Sequence, residues 1–348
     1  MSIIMQFVDR IHELLDKNAD MRTTNWFLMS SPFPTLFMCL GYVYLVKVVG
    51  PKIMENRKPF NLKKVLIVYN LLQVIFSTWI FYECLMGGWW DRYSFRCQPV
   101  DYSNDPTALR IGMSGWLTGD YSLKCQPVDR SISPRALRMA HASWWYYISK
   151  FTEFFDTIFF VLRKKNDHVS TLHVIHHGCM PMSVWFGVKL TPGGHSTFFG
   201  LLNTFVHIIM YSYYLLSALG PAIQPYLWWK KYLTALQMVQ FIAIMIHAFQ
   251  LLFIECNYPK MFVWLIGLHA CLFLFLFRDF YNQSYAQKLN KQRTKAASDA
   301  ASAKSTNGSV ANGEGAHPRR RDAADYYVKG DSLAPNELNL RKPYGAAQ

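Results

Sequence analysis

Three histidines stand within five positions of an apolar stretch, in the sequence HVIHH at residues 173–177. His173, His176 and His177 are spaced i, i+3 and i+4, so a helix would place all three on one face. A single buried histidine is commonly a core residue with a satisfied hydrogen bond. Three on one face more often form a site, in which imidazoles bind a metal, move protons or accept an acyl group.

A second polar stripe lies in the sequence KFTEFFDT at residues 150–157. Lys150, Glu153 and Asp156 repeat at i, i+3 and i+6, so they lie toward one side of a helix. Each charge costs about 3 kcal/mol at the centre of a membrane helix, so the stripe should face a protein interior or a wet cavity. An internal ion pair between Lys150 and Glu153 is the alternative that needs no catalytic role.

Two more apolar segments carry polar residues at helical spacing, NTFVHIIMYSYY at residues 203–214 and TALQMVQ at residues 234–240. The candidate residues are Asn203, His207, Tyr211 and Tyr214 in the first segment and Gln237 and Gln240 in the second. Amides in membrane helices often only link neighbouring helices, and tyrosines near helix ends often form an interfacial belt. Four stripes together predict that these helices converge on one polar chamber.

The elements that carry the stripes are predicted to be membrane helices. Of the 348 residues, 51% are hydrophobic, and apolar windows of about 20 residues, the length of a membrane span, recur along the chain. The candidate spans are roughly 27–49, 65–87, 142–162, 173–191, 197–217, 232–254 and 260–281. We therefore expect an all-α membrane protein with seven transmembrane helices.

Basic residues predict the orientation of these helices. The net charge is +14, and Lys and Arg cluster in the connections at residues 52–64, 163–165 and 230–231 and after residue 277. These are the odd-numbered connections and the tail, which the positive-inside rule places in the cytoplasm. The second connection departs from this pattern with seven basic residues, but it is long, and long loops weigh less in the rule. The N-terminus and the even-numbered connections then face the lumen or the exterior. Because the charge follows the spans in this way, it argues against a nucleic-acid-binding function.

Three further segments differ from the spans in composition. Residues 1–25 contain an amphipathic pattern that suits a helix lying on the bilayer or packed on the protein. The long second connection, residues 88–140, is predicted to be lumenal and contains a duplication, since residues 93–110 and 121–138 are identical at 12 of 18 positions. Residues 286–348 lack apolar periodicity and are predicted to be a disordered cytoplasmic tail.

The histidine motif leaves a metal site open as an alternative. The spacing H-x-x-H-H also occurs in membrane di-iron desaturases and hydroxylases, which combine several such boxes. This chain has one box, and its other histidines occur singly at positions 12, 141, 195, 207, 247, 269 and 317, besides His168. We therefore expect neither a metal nor another cofactor. A transporter with a polar core is a further alternative, which only Pro181 and Pro192 favour as helix breakers.

The four motifs KFTEFFDT, HVIHH, HIIMYSYY and TALQMVQ, in this order and spacing, resemble those of the very long chain fatty acid elongases, the ELO family. The resemblance covers roughly residues 20–285 and is strongest to animal enzymes over residues 163–194. It implies a seven-helix domain at residues 26–285 in the endoplasmic reticulum membrane, in which six helices form a barrel around an acyl-CoA tunnel. It also implies condensation of acyl-CoA with malonyl-CoA to 3-ketoacyl-CoA, carbon dioxide and CoA.

The chemistry of condensation suggests a role for each polar residue. A neutral imidazole can accept an acyl group, so we expect His176 to be the nucleophile and His207 to activate or orient it. The supporting catalytic residues are expected to be His173, His177, Glu153, Asp156 and Asn203. Spacing alone does not decide which histidine is acylated, and a one-step route without an acyl-enzyme stays open.

Other residues are expected to bind substrate or to shape the protein. Substrate contacts are assigned to Lys150, Tyr211, Tyr214, Gln237 and Gln240, and the CoA phosphates to Lys164, Lys165 and Arg278, unless these cations only set topology. On the oxidising lumenal side, Cys256 is expected to pair with Cys97 or Cys125. The expected partners are the lipid bilayer, the two CoA substrates, other enzymes of the elongation cycle and a second copy of the chain.

Overall fold

The computed structural model of the chain describes residues 3–89, 130–256, 258–283 and Thr294. All regular structure in these ranges is helical. The α-helices are α1 (Ile3–Asn18), α2 (Phe33–Tyr44), α3 (Gly50–Met54), α4 (Lys63–Cys84), α5 (Pro134–Thr152), α6 (Phe154–Leu162), α7 (Thr171–Leu190), α8 (Thr197–Leu219), α9 (Lys230–Phe249) and α10 (Lys260–Tyr281). Turns of π-helix at Leu45–Val49 and Leu85–Trp89 extend α2 and α4.

Within the described part of the chain, five helical stretches are long and apolar enough to cross a membrane. They are Phe33–Met54, Lys63–Gly87, Gly194–Leu219, Lys230–Leu252 and Lys260–Tyr281. The third and fourth predicted spans are also helical, as α5–α6 and α7, but they contain the charged stripe and the histidines, which lower their hydropathy. The described residues therefore show a multi-pass membrane protein, and the count of seven spans stays a prediction.

Serine caps set where the two polar helices begin. The Ser133 hydroxyl accepts a hydrogen bond from the Ala136 amide, and Pro134 follows at the first helical position. This cap makes residues 134–140 helical, although we predicted them as part of the long connection. The Ser170 hydroxyl accepts from the His173 amide in the same way. As a result α7 begins immediately before its three histidines.

The helices are apolar outside and carry polar groups inside. On α4, for example, Val68, Leu72 and Ile75 are exposed, whereas Asn70 and Gln73 are buried. A soluble helix shows the opposite pattern, because its polar face meets water. The exposed apolar faces therefore indicate contact with lipid, and the buried polar residues face other helices.

Six helical units contact one another in a closed order. Helix α4 packs against α8, α8 against α9, α9 against α10, α10 against α7, α7 against α5, and α5 again against α4. Helix α2 packs against α7 and is not part of this circuit. The polar stripes of α5–α6, α7 and α8 are thus carried by helices of one closed set.

The segment after α1 is docked on the protein through specific hydrogen bonds. The Asp20 amide donates to the Lys189 carbonyl at 2.8 Å, the Thr23 hydroxyl donates to the Val188 carbonyl at 3.2 Å, and the Trp185 indole donates to the Leu28 carbonyl at 2.7 Å. Of the two interpretations of residues 1–25, these contacts favour packing on the protein. Residues 93–129, with Cys97 and Cys125, lie outside the described residues, as does the predicted tail apart from Thr294.

Candidate active site

Glu153 is the meeting point of three predicted stripes. It lies at the junction of α5 and α6 and is 2% exposed. Its Oε1 atom is 2.5 Å from Lys150 Nζ and 3.3 Å from His207 Nδ1, and its Oε2 atom is 3.8 Å from His177 Nδ1. Side chains from α5, α7 and α8 therefore surround one buried carboxylate, which defines a polar chamber.

Lys150 is the positive counterpart of Glu153 and is equally buried, with 2% exposure. Besides Glu153, its ammonium donates to Asn203 Oδ1 at 3.2 Å and lies 4.4 Å from the centroid of the Tyr146 ring. A buried charge is tolerated only when it is paired and hydrogen-bonded. The ion pair that we weighed as an alternative is therefore present, but it lies within the chamber and is joined to its polar residues.

The geometry around Glu153 determines the tautomer of neutral His207. A carboxylate only accepts hydrogen bonds, so the nearby Nδ1 atom of His207 carries the proton. The Nε2 atom then has the free lone pair. His207 is consequently arranged as a base, with its orientation held by the carboxylate.

The three histidines of α7 form one cluster. The ring centroids of His173 and His177 are 4.4 Å apart, and those of His176 and His177 are 5.0 Å apart. His173 Nε2 and His177 Nδ1 are buried without a hydrogen-bond partner among the described residues. The ring of half-buried His176 lies against Phe273 and also makes no hydrogen bond within the described part of the chain. Polar atoms left open in this way suit a reacting group.

Asp156 and Tyr211 form a second pair at the edge of the chamber. The Tyr211 hydroxyl donates to Asp156 Oδ2 at 2.7 Å, and Tyr211 is fully buried. The rings of Tyr211 and His207 are 5.7 Å apart, centroid to centroid. This pair therefore places a carboxyl and a phenol next to the imidazole of α8.

Helix α4 contributes polar residues that the sequence analysis missed. Tyr69 lies 6.2 Å from Tyr211 between ring centroids, and its hydroxyl donates to the Thr152 carbonyl at 3.1 Å. Gln73 donates to the Tyr69 hydroxyl and to Thr152 Oγ1, both at 3.0 Å. The available signal was the spacing i, i+3 and i+7 of Asn70, Gln73 and Ser77 in the second predicted span.

The remaining predicted substrate contacts separate into inner and outer positions. Gln240 is buried, and Gln237 Nε2 donates to Met210 Sδ at 3.4 Å, which links α9 to α8. Tyr214 is 39% exposed, and its ring meets that of Tyr211 edge-on. The structure therefore brings the two amides inside the helical circuit and leaves Tyr214 at its surface.

The three cations proposed for the CoA phosphates lie near helix ends. Lys164 Nζ donates to the carbonyl of Glu55 at 2.9 Å, whereas Lys165 and Arg278 are exposed. Their roles stay predictions.

Cys256 is disulfide-bonded, whereas Cys39, Cys84, Cys179 and Cys271 are free. The partner of Cys256 lies outside the described residues, as do both predicted candidates.

A cavity of about 80 Å³ lies beside the chamber. Its wall is mostly apolar and is shared by α4, α5, α7, α8 and α10. One polar pair crosses it, in which Ser183 Oγ lies 2.9 Å from His269 Nε2. Tyr146, whose hydroxyl bonds to Asn203, lines the cavity together with Gly200, Thr191, Ser196 and Thr197. Tyr146 therefore contacts both the apolar cavity and the polar chamber.

Two histidines that we treated as isolated form a pair. The rings of His195 and His247 stack at 3.7 Å with an interplanar angle of 8°. His195 Nε2 donates to the His247 carbonyl at 2.6 Å, and His247 Nε2 donates to the His195 carbonyl at 3.3 Å. Their separation of 52 positions hides this pairing in the sequence. The Nε2 atom of each ring bonds to the backbone carbonyl of the other residue, so the pair has a structural role.

Within residues 3–89, 130–256 and 258–283, no three His, Cys, Asp or Glu side chains form a group that could hold a metal ion. The residues around Glu153 are also unsuited to binding a metal ion. His177 and His207 both lie against Glu153, but the ammonium of Lys150 already occupies the space beside that carboxylate. A divalent cation there would be repelled by the lysine.

Comparisons with known proteins agree with the motifs. Residues 27–293 match the model of the GNS1/SUR4 family, ELO. The chain is 56% identical to a very long chain fatty acid elongase of Aedes aegypti, over 99% of this chain and 98% of that protein. It is 55% identical to very long chain fatty acid elongase 7 of Drosophila melanogaster, over 84% and 81% of the two chains. Identity to very long chain fatty acid elongase 1 of Homo sapiens is 42%, over 81% and 92%.

The family match covers most of the chain, and the three relatives align over 81–98% of their own length. The resemblance carried by the four motifs is therefore confirmed. The chain belongs to the GNS1/SUR4 family, ELO.

Proposed function

We infer that the protein is the condensing enzyme of fatty acid elongation, which joins acyl-CoA and malonyl-CoA to give 3-ketoacyl-CoA, carbon dioxide and CoA. The family and the elongase relatives support this reaction. The observation that carries it in the structure is the meeting of imidazoles from α7 and α8 at buried Glu153, beside an apolar cavity.

The first stage transfers the acyl group to the enzyme. A lone pair of the His176 imidazole attacks the thioester carbon, the C–S bond breaks, and CoA leaves as the thiol. The thiol takes up the proton that the acylated imidazole loses. His207, held through Nδ1 by Glu153, is placed to carry this proton, and His173 and His177 orient the nucleophile.

The second stage forms the new carbon–carbon bond. The malonyl carboxylate leaves as carbon dioxide, and the resulting enolate carbon attacks the acyl carbon, whose bond to nitrogen then breaks. One proton is taken up to restore neutral His176. The amide of Asn203 and the ammonium of Lys150 are the donors that stabilise the negative oxygen of the enolate. Asp156 and Tyr211 support proton movement at His207.

Release of CoA in the absence of malonyl-CoA tests the acyl-enzyme. Purified protein incubated with acyl-CoA alone should release one equivalent of CoA and gain the mass of one acyl group. Peptide mass spectrometry should place that mass on the segment that contains His176. A one-step reaction would instead show no CoA release and no adduct until malonyl-CoA is added.

The metal-dependent desaturase or hydroxylase is the competing function, and it is separated by two measurements. We expect labelled malonyl-CoA and a panel of acyl-CoAs to give 3-ketoacyl-CoA, and metal analysis of the active enzyme to show no stoichiometric iron or zinc. Desaturated or hydroxylated product together with bound iron would replace our proposal with the oxidase.

The closed order of helix contacts supports an architecture for the reaction. We propose seven spans, with α4, α5–α6, α7, α8, α9 and α10 forming a barrel around the acyl tunnel and α2 outside it. The basic connections support a lumenal N-terminus and a cytoplasmic C-terminus in the endoplasmic reticulum. A glycosylation sequon added before residue 3 should then be modified, and the existing one at residues 307–309 should not.

Gly187 offers a direct test of the acyl cavity. It lines the cavity, and a Cβ atom added there would meet nothing within 4 Å. We predict that Gly187→Leu folds but lowers kcat/KM about 10- to 200-fold for acyl chains long enough to fill the cavity. Shorter chains should be processed normally. The measurement is kcat/KM across a panel of saturated acyl-CoAs.

Gly41 provides the matched control for this substitution. It is also a helical glycine with nothing within 4 Å of an added Cβ, but it is exposed on α2, outside the helical circuit. Gly41→Leu should leave the chain-length profile unchanged. An unchanged profile in Gly187→Leu as well would mean that the acyl chain binds elsewhere.

The chemistry of the product suggests which proteins the enzyme contacts. A 3-ketoacyl-CoA with a long chain is poorly soluble in water and must be reduced to continue elongation. We therefore propose contact with the other enzymes of the elongation cycle in the same membrane, and self-association of the chain. Cross-linking in native membranes followed by mass spectrometry measures both.

A further inference from the structure

Tyr146 connects the acyl cavity to the polar chamber. It lies on α5, one turn before Lys150, and is 5% exposed. Its ring lines the cavity, and its hydroxyl lies 2.8 Å from Asn203 Oδ1. Of the described residues that line this cavity, it is the one that hydrogen-bonds to a proposed catalytic side chain. Spacing in the sequence does not single out Tyr146, because a tyrosine in an aromatic segment has many structural uses.

The contacts of Asn203 fix the orientation of its amide. Lys150 has no acceptor, so the Asn203 atom 3.2 Å from its ammonium is the amide oxygen. The Tyr146 hydroxyl contacts the same oxygen and therefore donates to it. With the oxygen held by two donors, the NH₂ group of Asn203 is left to donate within the chamber. This is the orientation that an enolate or a tetrahedral intermediate requires.

The wall of the cavity fixes the position of the Tyr146 ring. The ring of Phe199 approaches it edge-on, at 6.0 Å between centroids. An added Cβ at Gly200 would touch Tyr146 at 3.8 Å, which is ordinary van der Waals contact. The Lys150 ammonium lies against the ring at 4.4 Å from its centroid. An acyl chain in the cavity therefore contacts a ring whose hydroxyl holds Asn203.

We propose that Tyr146 is a positioning residue that holds the amide of Asn203 from the wall of the acyl cavity. This inference rests on the proposed function, because it uses the condensing role of Asn203. It assigns Tyr146 no contact with the reacting atoms. Its effect should appear in turnover and should be transmitted through Asn203.

The variant Tyr146→Phe distinguishes the role of the hydroxyl from the role of the ring. It keeps the ring in the cavity wall and removes the donor to Asn203. We expect kcat to fall about 10- to 100-fold, the loss typical of a misplaced catalytic group, while KM for acyl-CoA stays within about twofold. The control is Tyr147→Phe, since the neighbouring buried hydroxyl bonds to Thr35 Oγ1 at 2.6 Å and lies outside the chamber. This control should retain full kcat.

A double-mutant cycle tests the route of the effect. In an Asn203→Ala background, Tyr146→Phe should cause no further loss of kcat, because the group it positions is absent. Multiplication of the two losses, or a Tyr146→Phe enzyme with full kcat, would overturn the inference. A wild-type protein that forms no 3-ketoacyl-CoA would instead overturn the proposed function, so the two failures are distinguishable. Equal melting temperatures of Tyr146→Phe and Tyr147→Phe exclude misfolding as the cause of a selective loss.

Discussion

His176→Ala is expected to abolish condensation, with kcat lowered about 10⁴-fold or more, as for removal of other catalytic nucleophiles. The acyl-enzyme detected with acyl-CoA alone should also disappear. The fold should survive, because the His176 ring makes no hydrogen bond among the described residues, and its removal leaves no buried partner unpaired. The measurements are product formation, the acyl adduct and the melting temperature.

His141→Ala is the control for this change. His141 is exposed on α5 and stacks on Trp26 at 4.4 Å between ring centroids, away from the chamber. It should retain activity within about twofold, as expected for a surface substitution. An active His176→Ala enzyme would exclude His176 as the nucleophile. Loss of the adduct in His207→Ala, together with its retention in His176→Ala, would assign the acyl group to His207.

Glu153→Gln should have the largest effect on stability. The amide keeps the shape of the side chain but removes the negative charge that pairs with Lys150, and both residues are 2% exposed. Breaking a buried ion pair by removing one partner costs about 3–5 kcal/mol, because the other charge is left uncompensated. Activity should also be lost, since His207 no longer has a carboxylate to hold its Nδ1 proton. The melting temperature in detergent measures the first effect.

Two further variants separate burial from charge. Glu83→Gln removes one partner of the bidentate pair with Arg138, which is partly solvent-accessible, and should cost only about 0–1 kcal/mol. The double variant Lys150→Met with Glu153→Gln removes the unpaired charge and should regain stability without regaining activity. Equal destabilisation by Glu83→Gln and Glu153→Gln would contradict the role assigned to the chamber.

The polar chamber was predictable because charged and imidazole side chains cannot face lipid at low cost. The sequence of each of the helices α5, α7 and α8 was therefore enough to predict that its polar face points into the protein. The meeting of Lys150, Glu153, Asn203 and His207 followed only in outline, since helical spacing gives the face of each residue but not its depth in the bundle. Family resemblance added the reaction, which spacing does not contain.

Other features depended on contacts between distant parts of the chain. Tyr69 and Gln73 on α4 were missed because neutral polar residues are weak signals in an apolar segment. The stacked pair of His195 and His247 joins the start of α8 to the end of α9, so no local pattern marks it. The interruption of the third predicted span at Glu153 was also missed, because no proline or glycine stands there.

The docking of the N-terminal segment has a consequence for biogenesis. Thr23 bonds to the carbonyl of Val188, 165 positions later, and Asp16 lies 3.1 Å from the ammonium of Lys189. At a ribosome speed of about 5–20 residues per second, the first segment must wait roughly 10–30 s before its partner has been synthesised. During that interval Asp16 and Thr23 have no docking partner, so stalling translation before residue 188 should keep this segment accessible to a protease.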